Sequence, residues 1–403
     1  MDSPLDALDR PVGRLLRLAQ HADPQRVVDT LAMTVAEFGG SDVRLYLIDY
    51  PYTTLRPTAS TGRPEGLRVD GTLAGRAFTT GRSQAVPRPD GWQVWVPVAE
   101  GAQRIGVLEV TVPAWDEVIE ELCVELGIAA GHLVVSATSY TDHWVRARRS
   151  RPMALAAEIQ WSLLPPLAFS MDGTSLVGLL EPAYDVAGDC FDYSLNGDRL
   201  DVVVFDAMGH GLNSSVLASL AMSTYRHSRR GRASPDLVAT LRDVDAVIAD
   251  YARGEAFVTA VAAALDITTG LLTWAVAGHP QPLHLRRAHV LAPRDVAASP
   301  PLGLMGWAGG DHVPQLASVG LEPGDSLLFY TDGVTDARDG AGEDFGEDRL
   351  RDLLERAHAS GREPAEALRH LVRSVIEHNA PAPLRDDATT VYVRWDSAAP
   401  TRR

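Results

Sequence analysis

Residues 181–211 read EPAYDVAGDCFDYSLNGDRLDVVVFDAMGHG, and the rest of the chain is organised around them. Asn196-Gly197 is a hairpin signal, because both residues tolerate the positive φ of a tight turn. The arm after it, Leu200 to Phe205, is apolar and β-branched, which predicts a buried strand. That strand runs into Asp206 and a Gly-rich turn, Gly209-His210-Gly211, while Asp189 sits at the far end of the other arm. A carboxylate at the end of a buried strand, followed by tightly turning backbone, presents oxygen ligands to a hard cation. One such Asp is equally the cap of a turn or helix.

Two further stretches repeat the arrangement. SLLFYTDGVTDA (326–337) is an apolar strand that ends in Asp332-Gly333. LRDDATTVYVRW (384–395) places Asp386 and Asp387 just before a strand with alternating Val391, Val393 and Trp395. Three strand-end acidic motifs point to one oxygen-rich metal centre assembled at one edge of a core.

The ordered series AGDCFD, DAMGHG, AGHPQPL, PLGLMG, YTDGVTDA and RDDATT, between Ala154 and Trp395, resembles bacterial type 2C (PPM) serine/threonine protein phosphatases. Within them it resembles the stage-II-sporulation-E branch, which includes phosphatases that regulate alternative sigma factors. The resemblance implies an αββα sandwich and two Mn²⁺ or Mg²⁺ ions, with Asp189 and Asp206 as the catalytic carboxylates. Asp206 would bridge both ions and the Ala207 carbonyl would bind one. Asp332 and Asp386 would hold the other, with Asp189 acting directly or through water. Asp387, second in RDDAT, is the disfavoured member of its pair. Gly188, Gly209 and Gly333 are read as backbone requirements of the turns.

In such enzymes two ions about 3.5–4 Å apart generate the nucleophile and clamp the phosphoryl oxygens, so hydroxide attacks phosphorus directly and no phosphoenzyme forms. His210 lies four residues after Asp206, where eukaryotic relatives carry a histidine two residues after, a slot Met208 fills here. His279 is read as a structural hydrogen-bonding residue, and Arg385, beside Asp386, is not assigned to phosphate. The implied substrate is a phosphorylated anti-sigma-factor antagonist. Two other readings stay open: a non-catalytic phosphoprotein-binding scaffold, and a small-molecule phosphomonoesterase. A scaffold has no need of the full set of acidic positions.

Composition narrows the classes. The chain has 403 residues, enough for two or three domains. Its formal net charge of −16 argues against nucleic acid or an anionic membrane as the main partner. The sequence contains no lysine, which excludes P-loop, kinase-lysine and Schiff-base chemistry. The two cysteines, Cys123 and Cys190, form neither a metal-finger spacing nor a disulfide framework, and with no apolar leader or membrane-length run the expected setting is the cytoplasm.

Ahead of this region, residues 5–40 show helical spacing (Leu15, Leu16, Leu18, Val27, Val28, Leu31, Val35, Phe38). Strands are expected at 43–50, near Leu55 to Ala59, at 93–100 and at 104–112, with a short helix within 71–86. LAGRAFTTGRSQAV followed by WVPV and GVLEV resembles a GAF domain, a sensory module whose antiparallel sheet carries helices on one side. Trp92, Trp95 and Tyr46 are candidates for a pocket or, more simply, for core, and Cys123 for core. Residues 115–151 read as a long helix leaving this domain, with a basic cluster at Arg146, Arg148, Arg149 and Arg151 that is either a solvated face or a switch contact. Pro152 starts the next helix. The expected organisation is α+β: a GAF-like sensor at 10–138, a helical linker at 139–166 that the resemblance implies can pair two copies into a homodimer, and a phosphatase domain at 167–396.

Overall fold

The computed structural model describes residues 23–58, 66–171, 173–185, 188–232, 236–292, 296–307 and 312–396, together with positions 13, 15 and 17. Leu16, Leu18 and Ala59 lie outside the described residues. The chain divides into two compact units, Met1–Pro152 and Met153–Arg403.

In the first unit the described elements run α1 (Val27–Ala36), β1 (Ser41–Ile48), β2 (Thr54–Pro57), β3 (Leu67–Arg68), α2 (Leu73–Thr80), β4 (Gln84–Arg88), β5 (Gly91–Glu100), β6 (Gln103–Val112), α3 (Glu117–Thr138) and α4 (His143–Arg148). The strands form one sheet in the order β3-β2-β1-β6-β5-β4, with neighbours antiparallel. Strand alternation splits its apolar residues between two faces. Leu45 and Leu47 pack with α1 and α3, whereas Tyr46 and Ile48 pack with Ala74, Ala77 and Phe78 of α2. Helices therefore cover both faces, not one, because both sets of alternate residues on β1 are apolar. Tyr46 and Trp95 are core residues of the α2 face, and Trp92 packs against the opposite cluster. Cys123 is fully buried on α3, and burial pushes its thiol up to about 12, as expected of an inert core cysteine.

The helix expected across 115–151 is two helices. Thr138 and Ser139 turn their hydroxyls onto the carbonyls of Val134 and Ser136, the local bonding that competes with helix continuation. The chain then breaks, and α4 buries Trp144 in the same core. Of the basic cluster, Arg148 folds back: its Nε donates to the Ile48 carbonyl (2.9 Å) and its guanidinium stacks on Tyr50. The segment expected as a linker thus holds α4 in the first unit and α5 (Leu155–Leu163) in the second.

The second unit continues with β7 (Ala168–Met171), β8 (Thr174–Glu181), β9 (Asp189–Asn196), β10 (Arg199–Ala207), α6 (Leu212–Gly231), α7 (Leu237–Ala252), β11 (Val258–Asp266), β12 (Leu271–Ala277), β13 (Leu283–Arg286), β14 (His289–Val290), β15 (Ala317–Gly320), β16 (Asp325–Tyr330), α8 (Asp332–Thr335), α9 (Glu347–Ala359), α10 (Pro364–Asn379) and β17 (Ala388–Trp395). Two antiparallel sheets result, ordered β15-β12-β11-β10-β9 and β14-β13-β16-β17-β8-β7. The first is covered by α6 and α7, whose Leu217, Met222, Tyr225, Leu241 and Ile248 pack on Val203, Phe205 and Ala260. The second is covered by α10, which packs on β8 and β17. This is a sandwich with helices outside, the arrangement in which each sheet buries one face on the other and one under helices.

The β9–β10 hairpin differs from expectation by one residue. Asn196 pairs with Arg199, so the two loop residues are Gly197 and Asp198. Positive φ is needed only at Gly197 (+58°), and Asn196 stays in the ladder. This register sets Asp189 directly opposite Asp206.

The sheets approach closely where β8 carries Gly178, since a Cβ there would run into the ring of Phe191 on β9. Trp395 Nε1 ties the far end to the Ile267 carbonyl (2.8 Å). Gly178→Val is expected to lower the stability of the second unit by about 1–3 kcal/mol, the usual cost of overpacking a filled core. Urea unfolding checks this, and a wild-type midpoint contradicts the packing described.

Candidate active site

Each acidic motif ends at the same edge of the sandwich because antiparallel neighbours bring their ends together. Asp206 closes β10 and faces Asp189 at the start of β9. Asp332 opens α8, directly after β16, and Asp386 and Asp387 immediately precede β17, the neighbour of β16. Two sheets thus bring five carboxylates to one edge of the sandwich.

Their surroundings divide them. Asp189 and Asp387 are buried, Asp206 is half-buried, and Asp332 and Asp386 are exposed. Asp387 is the organiser. Its Oδ2 accepts from the Gly188 amide (2.7 Å), the Asp189 amide (3.0 Å) and Gln160 Nε2 (2.8 Å). Its other oxygen, Oδ1, is buried without a hydrogen-bond partner. Asp386 instead accepts from the Asp387 amide (3.0 Å) and leaves its carboxylate at the surface. The residue set aside in the sequence reading is therefore the one that holds the turn, and the residue put forward as a ligand is the accessible one.

Thr331 secures Asp189: its hydroxyl donates to Asp189 Oδ2 (2.7 Å) and accepts from the Thr389 amide (3.0 Å). Thr259 stands opposite Asp206 on β11 and hydrogen-bonds its carboxylate. Behind it, Thr259 Oγ1 shares a 2.7 Å hydrogen bond with His279 Nδ1. Burial drives His279 down to about 3, so the ring is neutral, which suits the structural role expected of it. Ala207 ends β10 with its amide bonded to the Gly188 carbonyl (3.2 Å).

The three turn glycines serve different needs. Gly209 requires positive φ (+85°). Gly188 and Gly333 allow close approach instead: a Cβ on Gly188 would sit 3.0 Å from the Ala207 carbonyl, and one on Gly333 would strike the Asp387 carbonyl.

Crowded carboxylates in a half-buried site resist ionisation. Burial, then the charges of Asp332, Asp386 and Asp387, push Asp206 up to about 7, against the Thr259 hydrogen bond. Burial and the charges of Asp206 and Asp387 hold Asp189 well above the usual carboxylate range. Burial also pushes Asp387 up to about 6, against the amides of Asp189 and Gly188 and the Gln160 side chain. Partial desolvation and neighbouring Asp336 raise Asp332, with Asp386 adding to the effect. Asp386 is raised by burial too, opposed by the Asp387 amide and by His210, which is exposed nearby.

Among the described residues, no three His, Cys, Asp or Glu side chains close on one point. The donors are all oxygen, and Asp332 and Asp386 are exposed, a set whose chemistry fits hard divalent cations such as Mg²⁺ or Mn²⁺.

Residues 196–396 match the Stage II sporulation protein E (SpoIIE) family. This part of the chain is a SpoIIE-family domain. Over 223 residues the chain is 26% identical to Protein IcfG of Synechocystis sp., covering 49% of this chain and 34% of that protein. Over 193 residues it is 27% identical to Phosphoserine phosphatase RsbP of Bacillus subtilis, covering 46% and 45% respectively. The chain thus spans less than half the length of either relative. The SiaA-PP2C domain of Pseudomonas aeruginosa has the same fold, at a TM-score of 0.50 and 23% identity, with 60% of this chain and 94% of that one covered. The SpoIIE-family match begins at Asn196, so the Asp189 turn lies just ahead of it.

Sequence reasoning missed Gln160, Thr331 and Thr259 as supports of the site. Thr331 was adjacent to a quoted acidic residue; Gln160 and Thr259 carried no local signal. Asp387→Ala is expected to cost about 3–5 kcal/mol, because three buried donors lose their acceptor together. Asp386→Ala stays within about 0.5 kcal/mol of wild type, as surface substitutions do. Urea unfolding in EDTA compares them, and equal stability of the two variants overturns the division of roles.

Proposed function

We propose that the chain is a metal-dependent protein phosphatase acting on phosphoserine and phosphothreonine, governed by a GAF-like sensor at 10–138. The observation that carries this reading is the delivery of Asp206, Asp332 and Asp386 to one accessible edge of a SpoIIE-family domain. Asp206, the Ala207 carbonyl, Asp332 and Asp386 would hold two Mn²⁺ or Mg²⁺ ions, with Asp189 acting directly or through water. Two such ions, when bound, supply charge neutralisation and an activated water for attack on phosphorus.

The protein's own residues do the positioning. Thr331 holds Asp189, Thr259 holds Asp206, and Asp387 fixes the turn that carries Gly188 and Asp189. Asp332 and Asp386 are exposed, so a phosphorylated side chain presented by another protein can reach them. The name of the B. subtilis relative, a phosphoserine phosphatase, supports the substrate class. The motif series supports an anti-sigma-factor antagonist as the phosphoprotein. Among the described residues no helix is long and apolar enough to cross a membrane, and a cytoplasmic setting is part of the proposal, as is pairing of two copies through residues 139–166.

The test is hydrolysis of p-nitrophenyl phosphate and of a phosphoserine protein with Mn²⁺, with Mg²⁺ and with EDTA. Turnover is expected only with metal, and Asp206→Asn and Asp332→Asn are each expected to lose at least about 100-fold, since both act on the reacting phosphoryl group. Metal-independent turnover, or full activity in either variant, overturns the reading.

A further inference from the structure

Helix α5 opens the second unit, and its Ala156, Ala157 and Gln160 are buried. A buried Gln among alanines asks for a reason. Gln160 is 1% exposed, and its two amide protons go to two acceptors: the Asp189 carbonyl (2.9 Å) and Asp387 Oδ2 (2.8 Å). These acceptors sit on different sheets, at the start of β9 and just before β17. The amide oxygen, Oε1, is buried without a hydrogen-bond partner. The side chain therefore leaves its own acceptor unsatisfied while placing both donors on the site loops. Turned over, the amide would set an oxygen against a carbonyl and a carboxylate, so its orientation is dictated.

Three further ties of α5 lead elsewhere. The Ala154 amide donates to the Tyr184 carbonyl (2.9 Å), Trp161 Nε1 to the Ala183 carbonyl (2.9 Å), and Arg226 Nη2 to the Leu163 carbonyl (2.7 Å). Gln160 reaches the acidic turns themselves.

We propose that Gln160 is a positioning residue for the metal-holding loops, making the placement of Asp387, and through it of Asp189 and Asp386, depend on how α5 is seated. This rests on the metal-dependent reading of the site. Asp387 binds the Gly188 and Asp189 amides through the same oxygen that Gln160 contacts, so one amide steadies the junction of both sheets. Displacing α5 withdraws two donors from that junction at once. The site is thereby coupled to the first helix of its unit without that helix supplying a ligand.

The experiment measures Mn²⁺ binding to the full-length protein by calorimetry and by the free-Mn²⁺ electron paramagnetic resonance signal, beside thermal unfolding in EDTA. Gln160→Leu is compared with Trp161→Phe, which removes the hydrogen bond from the same helix to the Ala183 carbonyl. Gln160→Leu is expected to remain folded and to weaken Mn²⁺ binding about 10- to 100-fold, the usual effect of losing a group that orients metal ligands, while Trp161→Phe binds as wild type does. Gln160→Glu fills the same space, replaces a donor with an acceptor, and repeats the comparison if Leu prevents folding. Wild-type Mn²⁺ affinity in the Gln160 variants, or equal weakening in Trp161→Phe, overturns the inference. A wild-type protein that binds no Mn²⁺ overturns it together with the metal reading. Absent phosphatase turnover with the binding contrast intact removes only the proposed activity.

Discussion

One buried carboxylate holds this site together. Asp387 accepts two main-chain amides and one side-chain amide through a single oxygen, and those donors come from the turn before β9 and from α5. Charge-assisted hydrogen bonds of this kind are about twice as strong as neutral ones, and each donor would otherwise be buried unsatisfied. The junction also explains the glycine beside it: Gly333 lets α8, which Asp332 opens, lie against the Asp387 carbonyl without an intervening side chain.

Around that fixed point the protein concentrates negative charge that its fold alone does not neutralise. Asp189 and Asp206 face each other on adjacent strands, a pairing that is unfavourable for like charges. The supports are hydroxyls and amides rather than cations: Thr331 on Asp189, Thr259 on Asp206, Gln160 on Asp387. Neutral donors orient carboxylates without cancelling them, which leaves their charge available to a divalent ion. Elsewhere in the same unit the chain pairs buried Asp with Arg, as in Asp192 with Arg226 (2.7 Å) and Arg229 (3.0 Å). The contrast marks the acidic edge as a site kept deficient in positive charge.

The first unit is built on a different economy. Its sheet has apolar residues on both faces, so it is covered by α1 and α3 on one side and α2 on the other. Glu109, buried on the α2 face, is satisfied by the Tyr46 hydroxyl (2.9 Å), with Arg44 at 3.5 Å. Such a layer is complete in itself, and α4 extends it by burying Trp144.

Much of this was legible in the chain. The apolar runs before Asp206 and Asp332, and the alternation after Asp387, determined the strands that carry the acidic residues, because a strand's side-chain period is local. The same locality located the hairpin between Asp189 and Asp206. Contacts between distant segments were not legible. The different settings of Asp386, exposed, and Asp387, buried, turn on which carboxylate meets Gln160, which is 227 residues away from Asp387. The hairpin register moved by one residue because cross-strand pairing, not the preference of Asn-Gly, placed Asn196 opposite Arg199. The helix expected over 115–151 is interrupted after Thr138, and the burial of Trp144 on α4 is in a core that only the folded sheet creates. The sequence by itself determined the acidic strand ends and their chemistry. Tertiary structure decided which of them is buried and which is exposed, since burial and hydrogen-bond partners are properties of packed neighbours and not of any one stretch of chain.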